Sequence, residues 1–281
     1  MSISGINSSL NQLNRAQSMQ SQSIQRIATG SKHPSAAYGA SDYAIARRME
    51  YNLGGIRQSN VNTQNANAML NVASGAVSNT ISSLSSLRET LINAANGTNQ
   101  SSDLSALQET VNQTLSQINT NAQATYNGQT LLDGSQTVTV AGIDGYDNVS
   151  LGNMSTAGLG LTDSQGNSNI NLTDQSSISS ALTTVDNALN AALDQATNIG
   201  AAQQGMDYQS ANYTTMEENL QYSLSASDDA DIAAESVNNA SANTQSQMAL
   251  FAVKQGLQNF SQQMLGTLNN HSRGAAYNML G

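Results

Sequence analysis

Apolar residues follow a seven-residue repeat along a long proline-free stretch from Ser41 to Ala95. The repeat runs through Leu70, Val77, Leu84 and Leu91. A second apolar position falls inside each unit, which is typical of a helix that packs along another helix. Such a helix would be roughly 80 Å long and could not bury its apolar stripe alone. The pattern therefore predicts partner helices of comparable length.

The same spacing returns in the second half of the chain, most clearly from Ile178 to Ile199. Two long heptad segments from opposite halves can pack against each other as a bundle. We expect the core of that bundle to contain Leu70, Val77, Ile81, Leu84, Leu91, Ile178, Leu182, Val185 and Leu189.

The two ends of the chain carry heptads with more polar residues. Gln17 and Gln20 occupy core positions in the N-terminal segment 1–28, and a helix this polar is marginal by itself. We therefore expect both ends to order only where neighbouring helices cover them. The apolar residues expected to form this polymerisation core are Ile3, Ile6, Leu10, Leu13, Ile24, Ile27, Val253, Leu257, Phe260 and Met264.

Residues 133–175 differ in character, because Gly, Asp, Asn and Ser surround a short alternation at Thr137–Val140. This predicts one β-hairpin with irregular loops. The expected fold is mainly α: an elongated antiparallel helical bundle or coiled coil from both chain ends, with a small β-hairpin insert. The expected divisions are 1–44 and 228–281 for the paired ends, 45–132 and 176–227 for the bundle, and 133–175 for the insert.

The composition fits a thin bundle better than a thick globular core. Only 4% of the residues are aromatic and 10% are charged, so Leu, Ile, Val and Ala must fill the interior while amides and hydroxyls cover the surface. Disorder is the alternative for so polar a chain, but sustained heptads argue against it over most of the length. Because there is no cysteine, disulfides and thiolate metal sites are excluded.

The net charge of −10 is unevenly distributed: positions 1–60 carry +4 and positions 61–281 carry −14. Solvated charged faces explain this most simply. The other interpretation is that the N-terminal arm lies against acidic parts of its own chain or of a neighbouring copy. Nucleic-acid binding is not expected, since the positive charge is weak and no aromatic residues are interleaved with it.

No catalytic, metal or cofactor site is expected. His33 and His271 fall in a break and in the tail, without paired ligands. The acidic cluster at Asp228, Asp229, Asp231 and Glu235 lacks the spacing of a calcium loop, and carboxylates in the first turn of a helix explain it more simply. We also expect no membrane span, because no apolar run approaches the required length of roughly 20 residues, and no cleaved secretory signal peptide.

Several motifs occur in an order and spacing that resemble those of bacterial flagellins. They are Ser2-Ile-Ser, Arg26-Ile-Ala-Thr-Gly30, Ala44-Ile-Ala46, Ala95-Asn-Gly-Thr-Asn99, Tyr126-Asn-Gly128, Leu131-Leu-Asp-Gly-Ser135, and Asp229-Ala-Asp231 with Glu235. The resemblance covers both ends of the chain. It departs from the family's pattern in the loop at 38–43 and in the tail beyond Leu268.

The resemblance implies a structural subunit that polymerises into the flagellar filament for motility. In the family, the chain ends form helices of the inner tube that are disordered before assembly, and the next shell is a helical bundle with a β-hairpin. The outer domains would here be missing or reduced to residues 133–175. The implied partners are copies of the chain, a secretion chaperone, the filament cap and hook-associated proteins, with type III export to an extracellular flagellum.

The resemblance also places Arg88 where flagellins carry an arginine read by the vertebrate flagellin-sensing Toll-like receptor, with Glu109 as a displaced supporting residue. A solvated arginine that pairs with Glu89 is the other interpretation. Two further functions stay open: a hook–filament junction protein, and an adhesive surface-filament subunit.

Overall fold

The computed structural model describes the backbone of residues 3–143, 145–163 and 165–279, and the side chains of residues 5–143, 145–163 and 165–269. Helices dominate this part of the chain. They are α1 (Ile3–Thr29), α2 (Ala40–Ala94), α3 (Ser101–Ala122), α4 (Gln175–Asp228) and α5 (Ile232–Met279), with a 3₁₀ helix at Ala36–Tyr38. The strands are β1 (Thr125–Tyr126), β2 (Gln129–Thr130), β3 (Thr137–Gly142) and β4 (Gly145–Ser150).

The predicted fold class is confirmed: helices pack as bundles and a small β insert separates the two helical halves of the sequence. The long heptad stretch is α2, which has 55 residues. The described residues form two compact units. We call residues 52–219 the central unit, and the residues up to Tyr51 together with those from Leu220 onward the terminal unit.

The core of the central unit is built from α2, α3 and α4. Leu70, Val77, Leu84 and Leu91 of α2 are fully buried. From α4, Ile178 and Val185 are also buried in this core, while Leu182 and Leu189 of α4 and Ile81 of α2 are half-buried at its edge. From α3, Val111 and Ile118 complete it.

The insert shares this core. Its apolar residues Leu151, Leu161 and Ile170 are almost completely buried, in the same cluster as the helical leucines. Side-chain amides of α3 and α4 accept hydrogen bonds from the insert's backbone N–H groups: Gln195 Oε1 from Gly152 at 3.1 Å, Asn119 Oδ1 from Thr156 at 3.0 Å, and Gln108 Oε1 from Leu172 at 3.0 Å. Amide side chains thus hold a segment with little regular structure onto the bundle.

Strands β3 and β4 form the predicted hairpin, in antiparallel register from Thr137 opposite Ser150 to Gly142 opposite Gly145. Val138 and Val140 are buried and the residues next to them on β3 are more exposed, as alternation requires. In a second hairpin, the two-residue strands β1 and β2 pair with each other. Its turn, Asn127-Gly128, has positive φ at both positions (50° and 79°), which is the geometry of a tight hairpin turn.

The first prediction concerns the central core. Replacing Leu84 by Ala removes a fully buried side chain and should destabilise the protein by about 2–5 kcal/mol. Urea unfolding followed by circular dichroism at 222 nm measures this. The matched control is Ser85→Ala on the exposed face of the same helix, which should change the free energy of unfolding by less than about 0.5 kcal/mol. Equal effects of the two substitutions would contradict the assignment of Leu84 to the core.

Candidate functional site: the paired terminal helices

Helices α1 and α5 pack against each other within the terminal unit. Ile6, near the start of α1, lies against Gly256, and Arg26, near its end, lies against Glu235. Since the order of contacts is reversed along the two chains, the helices run antiparallel. The two ends of the sequence therefore form one helical pair.

Small residues occupy the contact between these helices. A Cβ atom on Gly256 would come within 2.9 Å of Ile6 Cγ1, closer than packed atoms tolerate. The residues buried in this unit along α1 and α5 are Ala16, Ser23, Ala242, Ser246, Ala249 and Gly256. These small residues let the two helices approach each other closely, and the Ile6 side chain packs directly on Gly256.

Many large apolar side chains of both helices are consequently exposed. Leu250, Leu257 and Met264 are spaced by seven residues and form a row along α5, with Phe251 and Leu265 beside it. We call these five residues the outer row; each is between 51% and 67% exposed. Other exposed apolar residues of the pair are Leu10, Met19, Ile24, Ile232, Val237, Met248 and Leu268.

The predicted polymerisation core divides into two groups. Ile6, Leu13, Ile27, Val253 and Phe260 are half-buried. Leu10, Ile24, Leu257 and Met264 are exposed. The side chain of Ile3 lies outside the described residues.

The chain segments next to α1 and α5 pair with each other. The N–H of Lys32 donates to the carbonyl of Asp228 at 2.5 Å, and the N–H of Ala230 donates to the carbonyl of Gly30 at 2.8 Å. Gly30 has φ of +69°, a conformation that favours glycine. We call residues 30–33 with 228–230 the connector pair.

Asp228 is the centre of the connector pair, and its carboxylate is buried. It accepts hydrogen bonds from Ser31 Oγ at 2.8 Å and from the backbone N–H of His33 at 3.2 Å. His33 Nδ1 lies 3.3 Å from the same carboxylate, and its Nε2 lies 3.7 Å from Asp42 of α2. Sequence reasoning missed this cluster, because His33 and Asp228 are far apart in the chain and no local spacing relates them.

The helix-start interpretation of the acidic cluster is wrong for Asp228, which ends α4. Asp229 also precedes α5, and its backbone forms an isolated antiparallel β-bridge with that of Ser31. The interpretation does describe Glu235, which lies in the first turn of α5. Asp231 directly precedes that helix, and its carboxylate accepts the N–H of Ala234 at 3.0 Å. No group of three potential metal ligands occurs among the described residues. Across the same residues, no helix combines the length and the apolarity that a membrane span requires.

An ion pair joins α1 to α5 close to the connector pair. Arg26 Nη1 donates to Glu235 Oε1 at 2.9 Å, and the Arg26 guanidinium lies 5.9 Å from the centre of the Tyr38 ring. The hydrogen bond from Arg26 lowers the pKa of Glu235 below its ordinary value of 4.5, against the opposing effect of burial. The Glu235 side chain is only 12% exposed, so solvent screens this pair incompletely.

In the central unit, Arg88 donates from Nε to Asp186 Oδ1 at 2.7 Å and so bridges α2 to α4. The partner of its guanidinium is therefore Asp186, and the pair with Glu89 considered from the sequence is not the one formed. Glu109 is exposed on α3.

The second prediction tests the close helix contact. Gly256→Ala places a methyl group against Ile6 and should destabilise the α1–α5 pair by about 1–3 kcal/mol. Hydrogen–deuterium exchange of peptides from residues 5–29 measures the loss of protection. Gly266→Ala is the control on the same helix: its Cβ meets no atom within 4 Å, so it should stabilise the helix by about 0.5–1 kcal/mol. Similar responses to both variants would rule out the close contact.

The third prediction concerns pH. Because the pKa of Glu235 is lowered in the folded protein, its pair with Arg26 is stabilising above the ordinary glutamate value and is lost as the pH falls through the lowered pKa. Wild type should therefore lose about 1 kcal/mol more than Glu235→Gln when unfolding of the terminal helices is compared at pH 7 and pH 3. An identical pH dependence of the two proteins would show that this pair contributes nothing.

Comparison with known proteins identifies the family. The model of the bacterial flagellin N-terminal helical region matches residues 5–137, and that of the C-terminal helical region matches residues 182–268. Together these matches cover most of the chain. The residues between them include β4 and the loops that follow it.

Relatives and solved structures agree. The flagellar filament 33 kDa core protein of Treponema phagedenis is 27% identical over 230 residues, which cover 76% of this chain and 80% of that protein. A flagellin of Serratia marcescens is 31% identical over 131 residues, covering 46% of this chain and 37% of that protein. A structure from Vibrio parahaemolyticus, described as a putative flagellar hook-associated protein, shares the fold (TM-score 0.59, 15% identity, 68% of this chain and 100% of that one). The chain belongs to the bacterial flagellin family.

Proposed function

We propose that this chain is a structural subunit of a flagellar filament and that copies join through the apolar surface of the α1–α5 pair. One observation carries the proposal. The helical pair makes its internal contact with small residues and leaves many of its largest apolar side chains exposed. A surface of this kind marks an interaction site in a soluble protein.

Burial of the outer row supplies the driving force for assembly. Removing apolar surface from water is favourable by about 25 cal/mol per Å². A helix pair packed through one side of each helix cannot enclose side chains on the other sides, and within the described residues these side chains are exposed. Copies of the same pair can cover one another, and head-to-tail contacts that do not close generate a helical filament.

The charges on the pair favour apolar packing over electrostatic attraction. Within the described side chains of α1 and α5, the charged residues are Arg15, Arg26, Glu235 and Lys254. Arg26 and Glu235 neutralise each other. Few charges would therefore need to be desolvated when neighbouring copies cover the outer row.

Coupled ordering of the chain ends is part of the proposal. Polar residues such as Gln17, which falls in the heptad register but is exposed on α1, weaken α1 as an isolated helix, so contacts with neighbouring copies would supply the free energy that orders it. The paired helices described here would then be the arrangement that the filament selects and stabilises.

The proposed setting is an extracellular flagellum reached by type III export. The proposed partners are a secretion chaperone, the filament cap and hook-associated proteins, and the chain would have no catalytic activity, in keeping with a family of structural proteins. Recognition of Arg88 and Glu109 by a flagellin-sensing receptor stays a proposal. Such a receptor would have to compete with Asp186 for the arginine.

The alternative functions are not better supported. Likeness to the hook-associated protein shows the fold and does not distinguish a junction role. Most apolar residues of the insert are buried in the central core, and its exposed large apolar residues are Ile143 and Tyr146 at the β3–β4 hairpin, so the insert offers little apolar surface for adhesion.

The fourth prediction concerns polymerisation. Leu257→Gln makes the outer row polar without touching the small-residue contact, so the subunit should stay helical and its critical concentration for seeded growth should rise about tenfold. Light scattering with fragmented filaments as seeds measures the growth. Deleting residues 1–28 or 250–281 should abolish growth, while residues 45–225 stay helical by circular dichroism.

Gln258→Ser is the matched control, because Gln258 is exposed on the neighbouring position of α5 and is already polar. It should polymerise like the wild type. Normal growth of Leu257→Gln would exclude the outer row from the assembly contact. Loss of helicity in the central unit on truncation would contradict the proposed division of labour.

A further inference from the structure

The exposed methionines occur in one part of the molecule. Met19, Met248 and Met264 are 49%, 67% and 51% exposed, and all three lie on α1 and α5. The other methionine side chains that the structure describes are less exposed: Met49, Met69 and Met216 are half-buried, and Met154 and Met206 are each only 4% exposed. Among the methionine side chains that the structure describes, exposure therefore coincides with the proposed assembly surface.

Two of these residues lie within the apolar surface of α5. Met264 belongs to the outer row, seven residues after Leu257. Met248 is three residues before Phe251 and so shares its side of the helix. If neighbouring copies cover the outer row, the thioether groups of these two residues lose their contact with water.

We propose that Met248 and Met264, together with Met19, form an oxidation-sensitive modification site that controls assembly. Hydrogen peroxide or hypochlorous acid converts each thioether to a sulfoxide, and the modified subunit no longer joins a filament. A methionine sulfoxide reductase supplied with a dithiol reverses the change: the sulfoxide oxygen leaves as water and the dithiol is oxidised to a disulfide. The inference rests on the proposed function, because it requires the outer row to be an assembly contact.

The chemistry needs no group beyond the oxidant. With hydrogen peroxide, the sulfur attacks one oxygen, a sulfur–oxygen bond forms, the oxygen–oxygen bond breaks and water leaves. Sulfur is oxidised by two electrons, and the peroxide is reduced by two. The product is a polar, chiral side chain in place of a flexible apolar one.

The sulfoxide opposes assembly because its oxygen is a strong hydrogen-bond acceptor. Burying such a group against apolar side chains without a donor is costly. The helical pair itself is spared, since its internal contact uses small residues such as Ala249 and Gly256. Oxidation should therefore block association while leaving the subunit folded.

In the experiment, full-length subunits are treated with hydrogen peroxide. The peroxide is then removed, and the subunits are mixed with seeds that have not been treated. Peptide mass spectrometry should show sulfoxide at Met19, Met248 and Met264 before Met154 and Met206. The critical concentration for growth should rise at least tenfold with unchanged circular dichroism. Treatment with methionine sulfoxide reductases and a dithiol reductant should restore growth.

A triple variant, Met19→Leu, Met248→Leu and Met264→Leu, keeps apolar side chains of similar volume and cannot be oxidised there. Its critical concentration for growth is compared with and without peroxide, and the two values should be equal, whereas the wild-type value should rise at least tenfold on treatment. Met264→Leu alone should give partial resistance, and Met154→Leu, the control in the central core, should leave the sensitivity unchanged.

Equal growth of oxidised and untreated wild-type subunits would overturn the inference while leaving the proposed function intact. Inhibition of the triple variant as strong as that of the wild type would also overturn it. Failure of the untreated wild type to extend seeds would reject the proposed function, and the inference with it.

Discussion

The close packing of α1 against α5 determines which apolar side chains of these two helices stay exposed. Two helices that meet through alanine, serine and glycine bring their backbones together, and Gly256 lies directly against Ile6 in that contact. The absence of a side chain on Gly256 gives the Ile6 side chain room to pack directly on α5, and such close packing contributes dispersion contacts. Because small residues fill the contact between α1 and α5, most bulky apolar residues of these helices lie on their exposed surface.

The connector pair adds polar contacts next to the packed helices α1 and α5. Buried Asp228 gathers Ser31 and His33 around one carboxylate, and backbone hydrogen bonds on either side align the two chain segments. Arg26 and Glu235 add a charge-assisted hydrogen bond between α1 and α5. Polar interactions thus fix the register of the helices near one end, and steric fit fixes it along the rest.

Much of this architecture could be predicted from periodicity. The heptads located α2 and α4 and the leucine positions of the central bundle, because burial there follows the helical repeat. Periodicity could not say which side of α1 and α5 would face inward, since small residues on one side of each helix compete with large ones on the other. Periodicity also could not predict the contact of His33 with Asp228, because these residues lie in distant segments of the chain. The insert's place in the central core was likewise hidden, because irregular loops carry no period.

The contact between residues 30–33 and 228–230 has a kinetic implication. It joins positions almost two hundred residues apart, and the partner of α1 is the last helix described. At a synthesis rate of about 5–20 residues per second, the emerging N-terminal segment waits on the order of ten seconds or longer for that partner. During translation α1 therefore has no folded counterpart and stays unpaired until α5 has been synthesised.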